Sequence, residues 1–510
     1  MSGSLLAAGV PKLMTPQVDW TALEPALILI GGAVVLLVLS ALIPKRTTFG
    51  WQATFTIAVA SASIVAVVPL WHDVQRHGGY SVASGAVGVD GFSLFLSVVI
   101  AASVILAALL LDGYLKREGL EGPEGYVLLL LSASGGLIMA SADDLVVMFL
   151  GLEVLSIAVY VLAGLHRKRR RSGEAALKYF VLGSFSSAFF LYGIAFVYGA
   201  TGSTNLIRIN AFLATNLLTS NGLLLTGFAL LLVGLGFKVA AVPFHSWVPD
   251  VYQGSPSPVV SYMASGVKAA GFAGLLRAFY LTFGSYGVDW QPLIYGLAVA
   301  TLFVGAILAV VQRDVKRMLA YSSINHAGFI LVGVQAATQK GVSAALFYLA
   351  TYTFLVAGSF GVVTLAGRKG DGHQDIDDYK GLARRQPLLA FAFTIFLLAQ
   401  AGVPLTAGFM AKFYVIAAAV DAHSYWLGIA AMVSAVISAF LYLRIVATMY
   451  TSGEEPADAG TKPRPHIRLP AAATIALVIA FAVTIGVGFF PGPLSNLSRD
   501  AVPRLVATSP

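Results

Sequence analysis

Cysteine is absent from the 510-residue chain, and charged side chains make up only 11% of it. The absence of cysteine excludes disulfides, thiolate-bound metal centres and thiol chemistry. The scarcity of charge, with an apolar fraction of 58% and a mean hydropathy of +0.82, excludes an ordinary soluble domain. Because the basic residues cluster in short loops between apolar segments, the net charge of +8 does not indicate nucleic-acid binding. The composition predicts an all-α polytopic protein in contact with a lipid bilayer.

Fourteen apolar windows are long enough to cross a hydrocarbon core about 30 Å thick, which takes about 20 helical residues. None has the residue alternation of a long barrel strand. The twelfth window is too long for one straight span and contains Gly402 and Pro404, so we expect a broken helix there. The predicted spans are 24–43, 51–71, 90–111, 125–141, 144–164, 174–199, 222–242, 256–282, 291–312, 317–336, 342–366, 387–420, 424–449 and 469–490.

Positive charge is distributed unevenly between the loops. The loops after odd-numbered spans, counted with Arg317 at the edge of span 317–336, hold 20 Lys and Arg, whereas those after even-numbered spans hold Arg76, Arg208 and Lys340. Cytoplasmic loops carry the excess of Lys and Arg, so we expect the odd-numbered loops in the cytoplasm and both termini outside. We interpret the basic run 167–171 as part of this signal, with contact to acidic lipid or a partner as the alternative. The polar segment 371–385 is expected to be a solvated loop.

Six Lys and Arg remain inside the predicted spans, where an ammonium group at the bilayer centre costs roughly 2.5–3.5 kcal/mol on insertion scales. Lys178 lies one turn after Glu174, so a local ion pair is the simplest interpretation, with a secondary role at the site as the alternative. Arg277 and Arg444 lie near span ends and are expected to reach the headgroups with their long side chains. The other three are Lys238, Lys268 and Lys412.

These three lysines lie too deep to reach a headgroup easily. Lys268 is 12 residues into its span, about 18 Å at 1.5 Å per residue, close to the midplane. Lys412 follows Pro404 in the second half of the predicted broken helix. Lys238 precedes Pro243, whose ring clashes with the carbonyl of Val239 and should break the helix just beyond it. Lysines buried at such breaks are typical of an ion or proton path.

Glu153 is the only carboxylate that we place deep inside a predicted span. A buried carboxylate needs a cation or a proton, and Lys238 is its expected partner. A purely structural pair is the alternative. Because the carboxylate favours the charged form of the lysine, moving or neutralising Glu153 would promote release of the proton from Lys238.

Two histidines accompany the lysines. His326 lies in mid-span, and a neutral imidazole both donates and accepts a hydrogen bond, which suits a proton relay. A packing role is the alternative for His326. The polar residues beside it, Ser322, Ser323 and Asn325, are expected to hold the water of a proton wire. His245 follows the predicted break at Pro243 and is expected to have a structural or proton-uptake role.

Three long segments give the chain a recognisable family pattern. They are GLGFKVAAVPFHSWVPDVYQGSPSPVVSYMASGVKAAGF, QRDVKRMLAYSSINHAGF and AGVPLTAGFMAKFYV, in this order. The pattern resembles the antiporter-like proton-translocating membrane subunits of respiratory complex I, and the resemblance extends from about Glu24 to span 14.

The resemblance implies fourteen helices with two inverted five-helix repeats, spans 4–8 and 9–13, in which spans 7 and 12 are broken. It also implies a polar axis along the membrane plane. The corresponding divisions are 1–124 for spans 1–3, 125–283 for the first repeat and 284–450 for the second. Residues 451–510 would form a cytoplasmic loop, span 14 and a short tail.

The resemblance also implies a role for each deep polar residue. Glu153 matches the family's span-5 glutamate, Lys238 its span-7 lysine, Lys268 its span-8 relay lysine and Lys412 its span-12 terminal residue. His326 falls where the family often has a span-10 polar group. Protons would load Lys238 from the cytoplasm, pass through Lys268 and His326 to Lys412 and leave on the outside, driven by quinone reduction elsewhere.

The expected setting is the bacterial inner membrane, within NADH:quinone oxidoreductase, beside paralogous antiporter-like subunits. Because the chain has neither cysteine ligands nor a dinucleotide fingerprint, we expect no cofactor and no metal on it. The resemblance implies that flavin, iron–sulfur clusters and quinone belong to partner subunits. Two alternatives stay open: a subunit of a multi-component sodium/proton antiporter, and a stand-alone secondary solute transporter.

Overall fold

The computed structural model describes residues 18–43, 50–216, 221–367, 369–371, 374–451 and 469–502. These residues are almost entirely helical, and twelve helices are long and apolar enough to cross a membrane. The α-helices are α1 (Trp20–Leu42), α2 (Trp51–His77), α3 (Gly91–Glu118), α4 (Glu124–Ser141), α5 (Leu145–Ala163), α6 (Arg170–Thr201), α7 (Leu206–Thr215), α8 (Gly222–Val239), α9 (Trp247–Gly254), α10 (Ser257–Tyr262), α11 (Lys268–Leu275), α12 (Gly287–Val310), α13 (Val315–Gln335), α14 (Gln339–Ala366), α15 (Leu382–Arg385), α16 (Pro387–Ala401), α17 (Ala407–Asp421), α18 (Tyr425–Tyr450), α19 (Ala471–Phe489) and α20 (Gly492–Asp500).

The predicted polytopic helical fold is confirmed. Helices α10 and α11 are joined through π-helical turns into one continuous span, Ser257–Thr282. Two predicted spans lie outside the twelve long apolar helices: α13, which begins with charged residues, and the twelfth span, which is divided into α16 and α17. The total of fourteen spans and their arrangement as two repeats stay predictions.

Both predicted helix breaks are present, and a different type of residue ends the helix at each of them. Helix α8 ends at Val239 because Ala240 adopts a left-handed conformation with φ 65°, so the helix stops before Pro243, earlier than expected. Helix α16 ends at Ala401, where Gly402 has φ 94°. Helix α17 then starts after Thr406, whose hydroxyl accepts a hydrogen bond from the backbone N–H of Phe409. Each break leaves backbone carbonyls available beside a lysine.

A short hairpin that the sequence did not predict joins α2 and α3. Strand β1 (Tyr80–Val82) pairs antiparallel with β2 (Val87–Val89). Strands of three residues are too short to show an alternating pattern. The Ser81 hydroxyl in β1 donates to the Asp143 carboxylate at 2.5 Å, which holds the hairpin over the turn between α4 and α5.

The three helices at the centre of the bundle are α3, the α10–α11 span and α14, which are buried over most of their length. Helices α1, α2, α6, α18 and α19 keep one apolar face exposed. This exposed face is apolar because its solvent in a membrane is hydrocarbon.

Close backbone contact between α4 and α5 depends on glycine. A Cβ atom added at Gly135 would lie 2.5 Å from the backbone nitrogen of Leu155 and 2.7 Å from the carbonyl oxygen of Gly151. We therefore predict that Gly135→Val forces the helices apart at a cost of about 1–3 kcal/mol or more. The yield of folded protein in membranes, measured by size-exclusion chromatography, should fall.

Gly199→Val is the matched control, because nothing lies within 4 Å of a Cβ at Gly199 in α6. Equal yields for the two variants would contradict the prediction.

Candidate functional site

Lys238 lies in the last turn of α8 with only 3% of its surface exposed. Its Nζ has no hydrogen-bond partner among the residues that the structure describes and sits 5.7 Å and 5.6 Å from the ring centroids of Tyr160 and Tyr179. It lines a cavity of about 10 Å³ together with Ser156 and Ser186, roughly the minimum volume that holds a water molecule. Two aromatic faces and a small cavity with serine hydroxyls in its wall therefore surround this ammonium group.

Glu153 is close enough to Lys238 to interact with it electrostatically. The two side chains do not form an ion pair, which would place nitrogen and oxygen within 4.0 Å. The Oε1 atom of Glu153 has no hydrogen-bond partner in the protein. The predicted partners are thus neighbours but not a closed salt bridge, so each keeps unfilled hydrogen-bonding capacity.

Lys268 follows Lys238 in space as well as in sequence. A Cβ atom at Gly271, one turn after Lys268, would lie only 3.2 Å from Cγ of Lys238, so this glycine admits the stem of Lys238 beside the Lys268 helix. The Nζ of Lys268 donates to the carbonyl oxygen of Ser323 at 2.6 Å and to its hydroxyl at 2.5 Å. Lys268 is 2% exposed, so Ser323 supplies both oxygens that solvate its charge.

His326 lies one turn beyond Ser323 on α13 and is buried among hydroxyl groups. Its Nδ1 is 2.6 Å from the hydroxyl of Tyr348 and its Nε2 is 3.1 Å from that of Tyr442. The Tyr442 hydroxyl also lies 2.6 Å from the hydroxyl of Ser322. A histidine with a hydroxyl on each nitrogen can receive a proton on one side and release it on the other.

The polar neighbours of His326 bond to protein groups, while the Oδ1 atom of Asn325 is buried without a partner among the described residues, so the expectation that these residues hold water stays a prediction. Ser323 binds Lys268, and Ser322 donates to Gln400 at 3.2 Å. The amide of Asn325 donates to Ser434 at 2.7 Å. Helix packing supplies these partners, which a single sequence does not reveal.

Lys412 lies at the far side of His326. Its Nζ donates to the carbonyl oxygen of Ala401 at 3.0 Å, a carbonyl that the break between α16 and α17 leaves free. The ring of Phe329 lies 4.8 Å from the same nitrogen. Lys412 and Lys268 both lie within electrostatic range of His326.

One face of α13 connects these groups, since Ser323, His326 and Phe329 repeat every three residues along it. Ser323 binds Lys268 and Phe329 faces Lys412. Among the residues that the structure describes, the three lysines have no carboxylate oxygen within 4.0 Å. Because no permanent negative charge lies close to these lysines, little electrostatic stabilisation is lost when one of them releases its proton. The three lysines can therefore take up and release protons.

Lys178 and His245 lie apart from this line. The Nζ of Lys178 contacts Glu174, as predicted, and also Asp250, both at 2.8 Å. Asp250 lies between the membrane helices α8 and α10 and accepts a second bond from Arg317 at 2.6 Å. Partial burial alone would raise the pKa of Asp250, but the hydrogen bonds from Lys178 and Arg317 outweigh it and lower that pKa. His245 is half-buried at the break after α8.

The expected headgroup contact of Arg277 is wrong. Arg277 is fully buried, and its guanidinium bonds to Asp90 at 2.9 Å, to Asp143 at 3.0 Å and to the carbonyl oxygen of Ala140 at 2.5 Å. We call Asp90, Asp143 and Arg277 the acidic triad. Glu153 is therefore not the only carboxylate shielded by the bundle. Arg444 keeps a structural role, because it donates to the carbonyl oxygens of Val310 and Gln312 beyond α12.

A second charged group lies at the opposite end of α3 and was missed by the sequence reading. Asp371 is buried and bonds to Arg169 at 2.7 Å and to the hydroxyl of Tyr114 at 3.1 Å. Its other neighbours are Arg117 at 3.6 Å and Lys316 at 3.9 Å. The expectation that residues 371–385 form a solvated loop is thus wrong for Asp371, and Arg169 of the basic run 167–171 forms an ion pair inside the protein.

These ion pairs bring the loops after predicted spans 3, 5, 9 and 11 to one face of the bundle. We call Arg117, Glu118, His166, Arg169, Lys316 and Asp371 the basic cluster. The acidic triad joins the last turns of span 8 to the start of span 3 and the loop after span 4 at the other face. No group of three or more His, Asp or Glu suited to a metal ion occurs within the described ranges.

Comparison with known proteins identifies the class to which this fold and site belong. The family profile described as "NADH:quinone oxidoreductase/Mrp antiporter, TM" matches residues 142–438. A chain in the structure of respiratory complex I from Thermus thermophilus is 32% identical with a TM-score of 0.76, covering 93% of this chain and 99% of that one. A chain of the Mrp complex from Dietzia has a TM-score of 0.80 at 22% identity, covering 94% and 97%, and shows the fold alone. The chain therefore belongs to the membrane-subunit family of NADH:quinone oxidoreductases and Mrp antiporters.

The branch within this family is given by a full-length relative. "NADH-quinone oxidoreductase subunit N 1" of Solibacter usitatus is 42% identical over 503 residues, which cover 97% of this chain and 99% of the relative. Lysine at position 412 argues against the paralogue that has glutamate there, and the relative's name assigns the branch of subunit N. The comparison confirms this assignment.

The acidic triad generates a stability prediction. Arg277→Met leaves two buried carboxylates without their cation, and breaking a buried ion pair in this way typically costs about 3–5 kcal/mol. The thermal unfolding temperature of the purified complex in detergent should fall. Adding Asp143→Asn to the same chain should restore part of the stability, because one uncompensated charge is removed.

Arg208→Met, at an exposed position of α7, is the control for loss of an arginine. If Arg277→Met unfolds at the same temperature as Arg208→Met, the triad does not stabilise the fold.

Proposed function

We propose that this chain is the subunit N of a proton-translocating NADH-quinone oxidoreductase and moves protons outward through Glu153, Lys238, Lys268, His326 and Lys412. The observation that carries the proposal is the set of three buried lysines, of which Lys268 and Lys412 contact one face of α13 and Lys238 packs beside the helix of Lys268. The buried lysines and the family of the chain both favour proton transfer. Transport of a solute would require a recognition pocket at the membrane midplane.

Transfer starts at Lys238. A proton from the cytoplasm binds its neutral amine, and the negative charge of Glu153 stabilises the resulting ammonium group. When Glu153 turns away or is neutralised, Lys238 gives the proton to the amine of Lys268. Each transfer returns the donor to its neutral form, so one proton crosses without net change in the chain.

The second half of the path uses the hydroxyl-bonded histidine. Lys268 passes its proton through Ser323 and the hydroxyls around His326 towards Lys412. The repulsion between two neighbouring positive charges disfavours simultaneous protonation, so a proton that arrives promotes release of the one ahead. At a membrane potential of about 180 mV, moving one charge across costs about 4 kcal/mol, which the partner subunits must supply.

The energy source lies outside this chain. We infer that flavin, iron–sulfur clusters and quinone are held by partner subunits and that rearranged charges along the membrane arm transmit the energy. The paralogous antiporter-like subunits are the expected neighbours. The chain would lie in the bacterial inner membrane with both termini outside, and residues 125–283 and 284–450 would form the two repeats.

Substitution at Lys238 tests the function. Lys238→Met keeps the volume and removes an ammonium group that has no hydrogen-bond partner, so we expect the complex to assemble with unchanged or higher thermal stability. Proton pumping in membrane vesicles should fall about tenfold or more, because loss of a positioned proton-transfer group typically costs 10²–10⁴ in rate. NADH oxidation should fall with it, and Glu153→Gln should reduce both to a lesser degree.

Lys340→Met is the control, since Lys340 forms an exposed ion pair with Asp421. Normal pumping by an assembled Lys238→Met complex would overturn the proposed path. If NADH oxidation does not depend on this chain at all, sodium/proton exchange becomes the function to assay, as the similarity to the Mrp fold allows.

Orientation is tested with introduced cysteines, since the chain contains none. Lys168→Cys and Arg208→Cys lie in loops of opposite predicted side. In intact cells an impermeant maleimide should label Arg208→Cys but not Lys168→Cys, and both after the membrane is opened. The reverse pattern would place the odd-numbered loops outside.

A further inference from the structure

Lys316, the first-turn lysine of α13, is completely buried and has no role in the path described above. Sequence patterns placed it in a basic loop. Its Nζ donates to the carbonyl oxygen of Ser255 at 2.5 Å, between α9 and α10. Seven residues further along α13, Ser323 receives Lys268 from α10–α11. Lys316 thus reaches from α13 to the start of the α10–α11 span, whereas Lys268 reaches from that span to α13. Along α13, Lys316 and Ser323 are two helical turns, or about 10 Å, apart.

The charge balance of the basic cluster singles out Lys316. Arg117 pairs with Glu118 at 3.0 Å and Arg169 pairs with Asp371 at 2.7 Å. Guanidinium groups stay protonated in proteins, so these two pairs are permanently charged and mutually neutral. The ammonium group of Lys316, 3.9 Å from the already paired Asp371, is surplus positive charge.

The carboxylate of Asp314, two residues before Lys316, does not form an ion pair with Lys316. Asp314 is the N-cap of α13, where it accepts from the backbone N–H of Arg317, and it also accepts from the amide of Gln253 at 2.8 Å. Among the lysine and arginine side chains of the cluster, Lys316 is therefore the one that can lose its proton.

Buried polar atoms without a partner lie in the two segments next to Lys316. The hydroxyls of Ser255 and Ser257, at the start of the helix that carries Lys268, are buried without a hydrogen-bond partner among the described residues. The same holds for both polar atoms of the Gln374 amide. The backbone carbonyl oxygen of Gln374 accepts from the backbone N–H of Val315, so the Gln374 segment lies against the first turn of α13. Buried polar groups of this kind bind water, so both segments next to Lys316 carry groups that can hold the water of a proton route.

We propose that Lys316 is a proton-relay residue that delivers protons from the cytoplasmic face to Lys268, by a route that does not pass through Lys238. The proposal rests on the proposed function of the chain. A hydronium ion that arrives past Gln374 gives one proton to the neutral amine of Lys316 and leaves as water. The ammonium group passes a proton through water at Ser255 and Ser257 to the neutral amine of Lys268. Lys316 then returns to the neutral amine.

Lys316→Arg separates a relay from a structural cation. Arginine keeps the positive charge and the donors for Ser255 and Asp371 but does not release a proton. If Lys316 only holds the helices together, the arginine variant should pump nearly as well as the wild type and Lys316→Gln should fail to assemble. If Lys316 relays protons, the arginine complex should assemble and pump about tenfold more slowly, within the range for a lost proton-transfer group. Wild-type pumping by the arginine variant overturns the proposal.

Gln374→Leu tests the route without touching an ion pair. It replaces an unpartnered buried amide by an apolar side chain of similar size, so a structural role predicts no loss of thermal stability. The relay predicts that stability is kept while pumping falls several-fold, because the water beside Lys316 is displaced. Unchanged pumping in Gln374→Leu contradicts the proposed route, even where the arginine substitution disturbs folding.

The Lys238→Met complex distinguishes the two proposals. If Lys238→Met pumps normally, the proposed function itself fails. If Lys238→Met loses pumping while Lys316→Arg and Gln374→Leu keep it, only the relay through Lys316 fails. Lys340→Arg, at an exposed lysine outside the cluster, shows the effect of the substitution type alone.

Discussion

An ammonium group buried in an apolar helix bundle must be solvated by the protein, and the arrangement of the bundle follows from this constraint. Lys268 is held by the two oxygens of Ser323, and Lys412 by the carbonyl oxygen of Ala401. The latter oxygen is available only because the helix ends at Gly402. Lys238 has aromatic faces instead of oxygen partners. Such uncharged groups stabilise the ammonium form of a lysine but do not force the lysine to stay protonated.

Permanent charge is placed elsewhere, at the two ends of α3. Asp90 caps its start and belongs to the acidic triad, and Glu118 ends it within the basic cluster. Arginines pair with carboxylates at both ends, where multidentate contacts fix the loops. Lysines without a close carboxylate lie between them. The division separates the arginine pairs, which stabilise the fold, from the lysines, which can change protonation.

The sequence was sufficient for most of the fold and for the identity of the deep lysines. The apolar windows and the breaks near Lys238 and Lys412 follow from local chemistry, since glycine, proline and charge act within a few residues. Arg277 and Lys316 could not be placed in this way. Both lie near a helix end, where a side chain that reaches water and one that is buried have the same local sequence. Their partners lie far along the chain, as the 202 residues between Arg169 and Asp371 illustrate.

The sequence by itself determined that the chain is a polytopic helical membrane protein, which family it resembles and which residues carry charge into the apolar core. Only the tertiary structure decided which helix faces meet protein and which meet lipid, because both surroundings select apolar side chains. It also decided that Ser323, His326 and Phe329 connect the lysines through one face of α13. Such contacts depend on the packing of helices distant in sequence, and a periodic apolar pattern does not specify that packing.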